Sequence, residues 1–449
     1  MNLRNACRCT VASVLAVVLV AGCTSKSRPP ANPQPTGSAG GTGGAASEGT
    51  TYQDVTLADN AVLVDAAAVH DGLRSQSGTT YRFKAGTAGL ASLKPGQVVI
   101  LAGTAVRKVT SVRTEGGDTV VETGDASLNE AIRSGKLGWS RRIDWNKVPR
   151  SAFQKAGLEA GLRPRVVAAA FEPEGFEFGG EVEGIDVSLK LKPKDDGKLG
   201  FELTAKRKNV MAVAAKGTLG AFDQGTKLEY DEGTGRLFSS EVRGLKGEAD
   251  VEWHVIGVGS AFDKDTVSFS IPFSVPIPIE VGPIPMVLKV KSTLRFVPAL
   301  VEGSSSGGSF KIKYDSDFGF SFDSPEPEAQ SQVRDAQGDI GDQETVTAGK
   351  LPVGFAWGWE FPRLELGLAG TGTFAFLTFD QFMAGEFTPG TTLTADIPPC
   401  QRAELTLHAI AGYKIAVLGM TAASDKTTLW EKKFPHFLDN KPCTLTGKP

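Results

Sequence analysis

Few residues of this chain have the types and spacing that catalysis requires. The four histidines are His70, His254, His408 and His436, and no two stand at metal-ligand spacing. H-E-x-x-H is absent. Gly303-Ser304-Ser305-Ser306-Gly307 matches G-x-S-x-G in its letters. A nucleophile elbow, however, needs a buried strand before the serine and a helix after it. This match lies in a Ser/Gly run between two strand patterns, so it reads as a flexible hairpin loop. Asp335, Asp339, Asp342 and Glu344 carry the hard oxygen donors that Ca²⁺ accepts. Their spacing is not that of an EF-hand, and a solvated acidic loop over 323–346 is the favoured reading, with no metal assigned. Trp357-Gly358-Trp359 forms an aromatic cluster with Phe355 and Phe361 that could stack on sugar rings. Alternation puts Phe355, Trp357 and Trp359 on one strand face, where filling a core is the simpler use. The spacing points away from an enzyme, and no cofactor is implied.

Cysteine is the other reactive type. Cys23 ends the run Leu19-Val20-Ala21-Gly22-Cys23, behind basic Arg4 and Arg8 and the apolar stretch from Val11 to Val20. That stretch is too short to span a bilayer and reads as a secretion signal. With small residues leading into the cysteine, the segment resembles the lipobox of bacterial lipoproteins. The resemblance covers the first two dozen residues. It implies a signal peptide over 1–22, cleavage before Cys23, and diacylglycerol and palmitate-type acyl chains on that residue. It also implies an extracytoplasmic address at the membrane, either the outer membrane or the outer face of the plasma membrane. Thr24, and not Asp, follows the cysteine. Cys7 and Cys9 would leave with the signal. Cys400 and Cys443 then remain, and in an exported chain one leftover pair is most simply a disulfide.

Residues 23–51 contain Ser, Gly, Pro, Ala and Thr with almost no large apolar side chain, a composition that cannot bury enough surface to fold. As a flexible tether they would hold the body roughly 30 Å from the membrane. The 449-residue chain is too long for one ordinary core. Its net charge of −3 argues against a nucleic-acid partner.

The elements that would position any site are mostly strands. Residues 52–139 carry short strand patterns (Thr79–Phe83, Val98–Leu101, Val106–Val112, Thr119–Thr123), a Gly116-Gly117 hairpin and a Ser127/Glu130 capping-box spacing. They predict a small β barrel or roll, and as a whole resemble a module of uncharacterised exported bacterial proteins. Residues 140–171 form a basic connector, in which Arg141, Arg142, Lys147, Arg150, Lys155, Arg163 and Arg165 oppose Asp144 and Glu159, with helical composition over Ala152–Leu162. It could face anionic lipid headgroups or wall polymer, or serve as a solvated interdomain helix. From 172 to 449 the period is two. The longest signal is Val267–Val281, where Phe269, Ile271, Phe273 and each second residue after them are apolar and Pro272, Pro276 and Pro278 lie between. Only an edge strand or extended segment tolerates those prolines. The expectation is a mainly β chain, with the small module followed by a large antiparallel, sandwich-like region.

These readings imply a cell-envelope lipoprotein with a non-enzymatic binding or structural role. An envelope protein, a wall polymer or a host surface would be its partner, besides the membrane that Cys23 reaches. The second reading is a carrier of lipid or another hydrophobe, with the apolar face at 267–296 as the cavity wall. Phe269, Ile271, Phe273, Trp357 and Trp359 are the candidate ligand-binding residues. Hydrolase chemistry ranks third.

Overall fold

Alternating apolar and polar residues dictate strands, and the computed structural model of the chain contains 23 of them among its described residues. The structure describes residues 49–159, 161–164, 175–231, 235–256, 269–299, 304–323, 327–346, 353–370, 373–388, 400–414 and 424–437. The fold is mainly β and almost wholly antiparallel, as expected, and is arranged in three sheets. Residues 1–45 and 46–449 separate as two units, and the sheets all belong to the second.

The first sheet is the small N-terminal one. Its strands are β2 (Ala61–Val64), β3 (Leu73–Ser77), β4 (Thr80–Lys84), β5 (Val98–Leu101), β6 (Ala105–Glu115) and β7 (Asp118–Asp125), in the order β2-β5-β6-β7-β4-β3. Gly116 and Gly117 both adopt positive φ, which is what a two-residue β6–β7 hairpin demands. Helix α1 (Ala66–Gly72) is capped by Asp65, whose carboxylate accepts from the Ala68 N–H at 2.7 Å. In α2 (Leu128–Ala131) the Glu130 carboxylate accepts from the Ser127 N–H at 2.9 Å, the reach-back half of a capping box. All of β5 is buried. Val99 and Leu101 join Tyr81, Phe83, Leu90 and Val109 in the module's own core, whereas Val98 and Ile100 enter the core of the main body. Burial on both faces accounts for the unbroken apolar run in its sequence.

The 11-stranded sheet forks. Strand β15 (Gly235–Ile256) pairs on one side with β18 (Ser305–Asp323), which in turn pairs with β19 (Pro327–Val346). On its other side β14 (Phe222–Asp231) pairs with 235–243 and β13 (Met211–Leu219) with 247–255, so the two lie end to end with a break at Gly220. Beyond β14 the sheet continues to β8 (Ile132–Ile143) and β1 (Gly49–Leu57). Beyond β13 it continues through β12 (Leu199–Arg207), β11 (Ile185–Pro193) and β10 (Phe176–Val182) to β9 (Arg163–Pro164). The expected boundary at 139/140 therefore falls inside β8, a strand of the large sheet.

The third sheet is six-stranded: β16 (Phe269–Val281), β17 (Ile284–Ala299), β20 (Val353–Leu368), β21 (Thr373–Thr388), β22 (Cys400–Lys414) and β23 (Ser424–Phe437). Strand β16 lies at its edge, where its prolines remove no ladder donor. The described inward residues of β16, Val275, Ile277, Ile279 and Val281, share one core with Leu203, Val251 and Ile312 of the large sheet.

Two expectations are corrected. Residues 327–346 are not an acidic loop but a 20-residue strand. Its inward face is built from Ala336, Gly338 and Ile340, and a Cβ at Gly338 would lie 2.7 Å from the Phe434 ring and 2.9 Å from Leu405. Such small residues give no hydrophobic period, while the outward acids dominate the composition. Likewise 305–307 opens β18, with Ser305 paired to Ile256 and Val346 and with Ser304 and Ser306 buried. The Ser305 run is therefore a strand start, the opposite order to a nucleophile elbow.

Candidate anion-binding cleft

The connector leaves β8 at Ile143 and crosses the fork of the large sheet. Asp144 caps a 3₁₀ turn, Trp145–Lys147, by accepting from the Asn146 N–H at 3.0 Å. Trp145 is fully buried, its indole N–H donates to the Gly220 carbonyl at 3.1 Å, and its ring meets Phe222 edge-on. It thus fills the break at which the two arms of the sheet diverge. Asn146 Nδ2 donates to the Lys194 carbonyl at 2.5 Å, which ties the turn to the β11–β12 hairpin. Helix α3 (Arg150–Glu159) then packs its Ala152, Phe153 and Ala156 inward. Gly157 is needed there, since a Cβ would lie 2.0 Å from the Phe178 ring. The helix of the connector spans Arg150–Glu159, and one of its faces is core and not solvent.

Two clefts open along this segment. One, of about 330 Å³, is lined by Arg141, Arg142, Asp144, Lys147, Val148 and Pro149 together with Ile277, Pro278 and Glu280 of β16. The other, of about 570 Å³, is lined by Asn146, Val148, Arg150, Phe153 and Phe176, with Lys192, Lys194 and Asp195 from the end of β11 and its turn. Phe153 stacks on Phe176 at 4.7 Å, and the Arg150 guanidinium lies over the Phe176 ring at 4.9 Å. Arg142 pairs with Asp223 at 3.2 Å, and Lys147 stands 3.9 Å from Asp144. Six cations thus face three acids across the two clefts. Partly exposed side chains of this kind can hold an anion reversibly, while nothing here forms a nucleophile–base pair.

The residues singled out in the sequence lie elsewhere. Trp359 is 3 % exposed, donates its indole N–H to Ser292 Oγ at 2.8 Å and packs on Phe201 and Phe361, so it offers no face to a ligand. Trp357, on the same strand as Trp359, stands opposite Phe296 of β17 and Met383 of β21. Phe269, Ile271 and Phe273 pair with Phe296, Leu294 and Ser292 along β16. Asp335, Asp339, Asp342 and Glu344 are strung along β19, with Asp335 opposite Asp315, Asp339 opposite Lys311 and Glu344 opposite Gly307. At about 3.3 Å per residue the first and last stand roughly 30 Å apart. They do not share an ion, and no group of three metal-ligating side chains occurs among the described residues. His408 Nε2 meets Glu431 at 3.0 Å, and His70 Nδ1 meets Asp71 at 2.8 Å, each as a surface pair. Cys23 and Cys443 lie outside the described residues, and Cys400 opens β22. No described helix is long and apolar enough to cross a membrane.

Lys192, Lys194 and Glu280 went unnoticed in the sequence because each reads locally as the polar position of a strand or turn. Only the pairing of distant strands carries them to the connector.

Residues 42–134 match a family model described as Domain of unknown function (DUF8403), which covers β1, the small sheet, α2 and the first residues of β8. No curated protein and no solved structure matches the chain.

Proposed function

We propose that this chain is a lipid-anchored cell-envelope protein with a non-enzymatic binding role, whose β body captures an anionic envelope ligand beside its basic connector. The observation that carries this reading is the placement of both clefts along 141–150, the stretch whose charge stands out in the sequence. Concavity supports a ligand that enters the body over a flat membrane surface. Burial of Val275–Val281 in the main core supports surface capture over internal carriage of a hydrophobe. The lipobox-like Cys23 supplies the anchor.

The test uses the full-length chain in detergent and isolated envelope glycans. Saturable, salt-sensitive binding is expected, and Arg150→Glu combined with Lys194→Glu should weaken it by about 1–3 kcal/mol. Unchanged binding by that variant would remove the cleft from the reading. In parallel, the intact mass of the membrane-extracted protein should correspond to a chain starting at Cys23 and carrying diacylglycerol. A chain that keeps its first 22 residues would remove the anchor.

A further inference from the structure

We propose that the two clefts form one continuous track for a linear polymer whose negative charges are separated by hydroxyl-bearing units. The inference rests on the anionic-ligand reading above and adds the shape and charge spacing of the ligand.

Val148 lines both clefts, with Pro149 on one side of the junction and Arg150 on the other. The clefts therefore adjoin along the connector at one residue. From Arg141 to Arg150 the chain passes through an extended strand end and a 3₁₀ turn, a path of roughly 20 Å. A single phosphate or monosaccharide cannot occupy that length, whereas several repeats of a polymer can. The floor is fixed in place by the Trp145–Gly220 and Asn146–Lys194 hydrogen bonds, so the track is preorganised and little ordering cost falls on binding.

Charge spacing narrows the ligand class further. Arg141 and Lys147 line the first cleft beside Asp144 and Glu280, and Arg150 and Lys194 line the second beside Asp195. Acids interspersed in this way repel a chain that is anionic at every bond. They accept hydrogen bonds from hydroxyls, and the cations between them take one anion per repeat. Uronate glycans and polyol phosphates share this chemistry.

The experiment titrates the full-length protein in detergent with oligogalacturonates and with poly(glycerol phosphate) of graded length. Polyphosphate of matched length, inorganic phosphate, galacturonate monomer and phosphatidylglycerol vesicles serve as comparisons. Affinity for at least one of the two polymers should rise by at least about tenfold once the polymer spans both clefts, because the second cleft then acts at high effective concentration. The better of the two series identifies the source. Arg141→Gln with Lys147→Gln should abolish the length dependence, and an unaltered thermal melt confirms that the variant folds. Equal affinity for monomer and polymer would overturn the track but leave the anionic-ligand reading in place. Polyphosphate binding as tight as the spaced polymers, or vesicle capture that depends on Arg141 and Lys147, would overturn the ligand class. Binding of none of these anions would end both.

Discussion

One buried arginine helps to join the small sheet to the rest of the body. Arg107 of β6 is 3 % exposed, and it donates to Thr123 Oγ1 at 3.0 Å, to Asp125 at 2.8 Å and to the carbonyl of Gly370 between β20 and β21. Next to it the Val106 N–H donates to the Ala369 carbonyl at 3.0 Å. Asp125 is largely exposed, so its ion pair adds little, and the value of the site lies in a desolvated guanidinium satisfying a backbone carbonyl and a threonine. Replacing Arg107 with Met should lower stability by about 2–4 kcal/mol in urea unfolding. Arg107→Lys should rescue little, because an ammonium lacks the planar fork that reaches several partners. A stability equal to wild type in either variant would show that the contact is dispensable. Nothing in the sequence around Arg107 signals this role, since its partner on the other side stands 263 positions away.

At the level of elements, the β18–β19 hairpin is held by charge as well as by its ladder. Arg334 donates to Asp315 at 2.5 Å and to Asp317, while Lys246 of β15 reaches Asp315 at 2.9 Å. Burial pushes both carboxyls up, but hydrogen bonds from Arg334, with Lys246 at Asp315 and the Gly244 N–H at Asp317, outweigh it and hold both below the usual carboxylate range. A folded pKa below the unfolded one stabilises fully above the unfolded value, about 3.9, and that stabilisation disappears as pH falls through the folded value. Arg334→Gln should therefore be less stable than wild type at pH 6–7, with the gap between their urea midpoints closing as pH falls through the lowered carboxyl pKa values. A gap independent of pH would assign the effect to packing. This strand was the hardest to read from sequence, because pairing across β18 and small inward residues define it while its composition advertises a loop. By contrast β16 was legible, since eight alternating apolar residues and interleaved prolines permit one conformation and one place in a sheet. The connector lies between these cases. Its charge and helix were visible, but the clefts needed β11 and β16, whose approach no local pattern encodes.

Across the whole molecule the two large sheets exchange hairpins along the chain. Strands β8 to β15 enter the forked sheet, β16 and β17 enter the six-stranded one, β18 and β19 return to the first, and β20 to β23 complete the second. The six-stranded sheet has begun before the forked one is complete, so 172–449 cannot separate into consecutive β subdomains. A protease site introduced between β19 and β20 should give two pieces that co-elute in size exclusion and part only in denaturant. Separation in native buffer would mean that each piece is a domain in its own right. Timing is affected as well. Synthesis delivers these strands in an order that suits neither sheet: β8 waits for β14, and β15 waits for β18 until after another hairpin has emerged. Long-range pairing of this sort folds slowly. Until Ile312 of β18 arrives, the apolar row from Val275 to Val281 lacks part of its cover, which makes it the stretch a holding chaperone would grip.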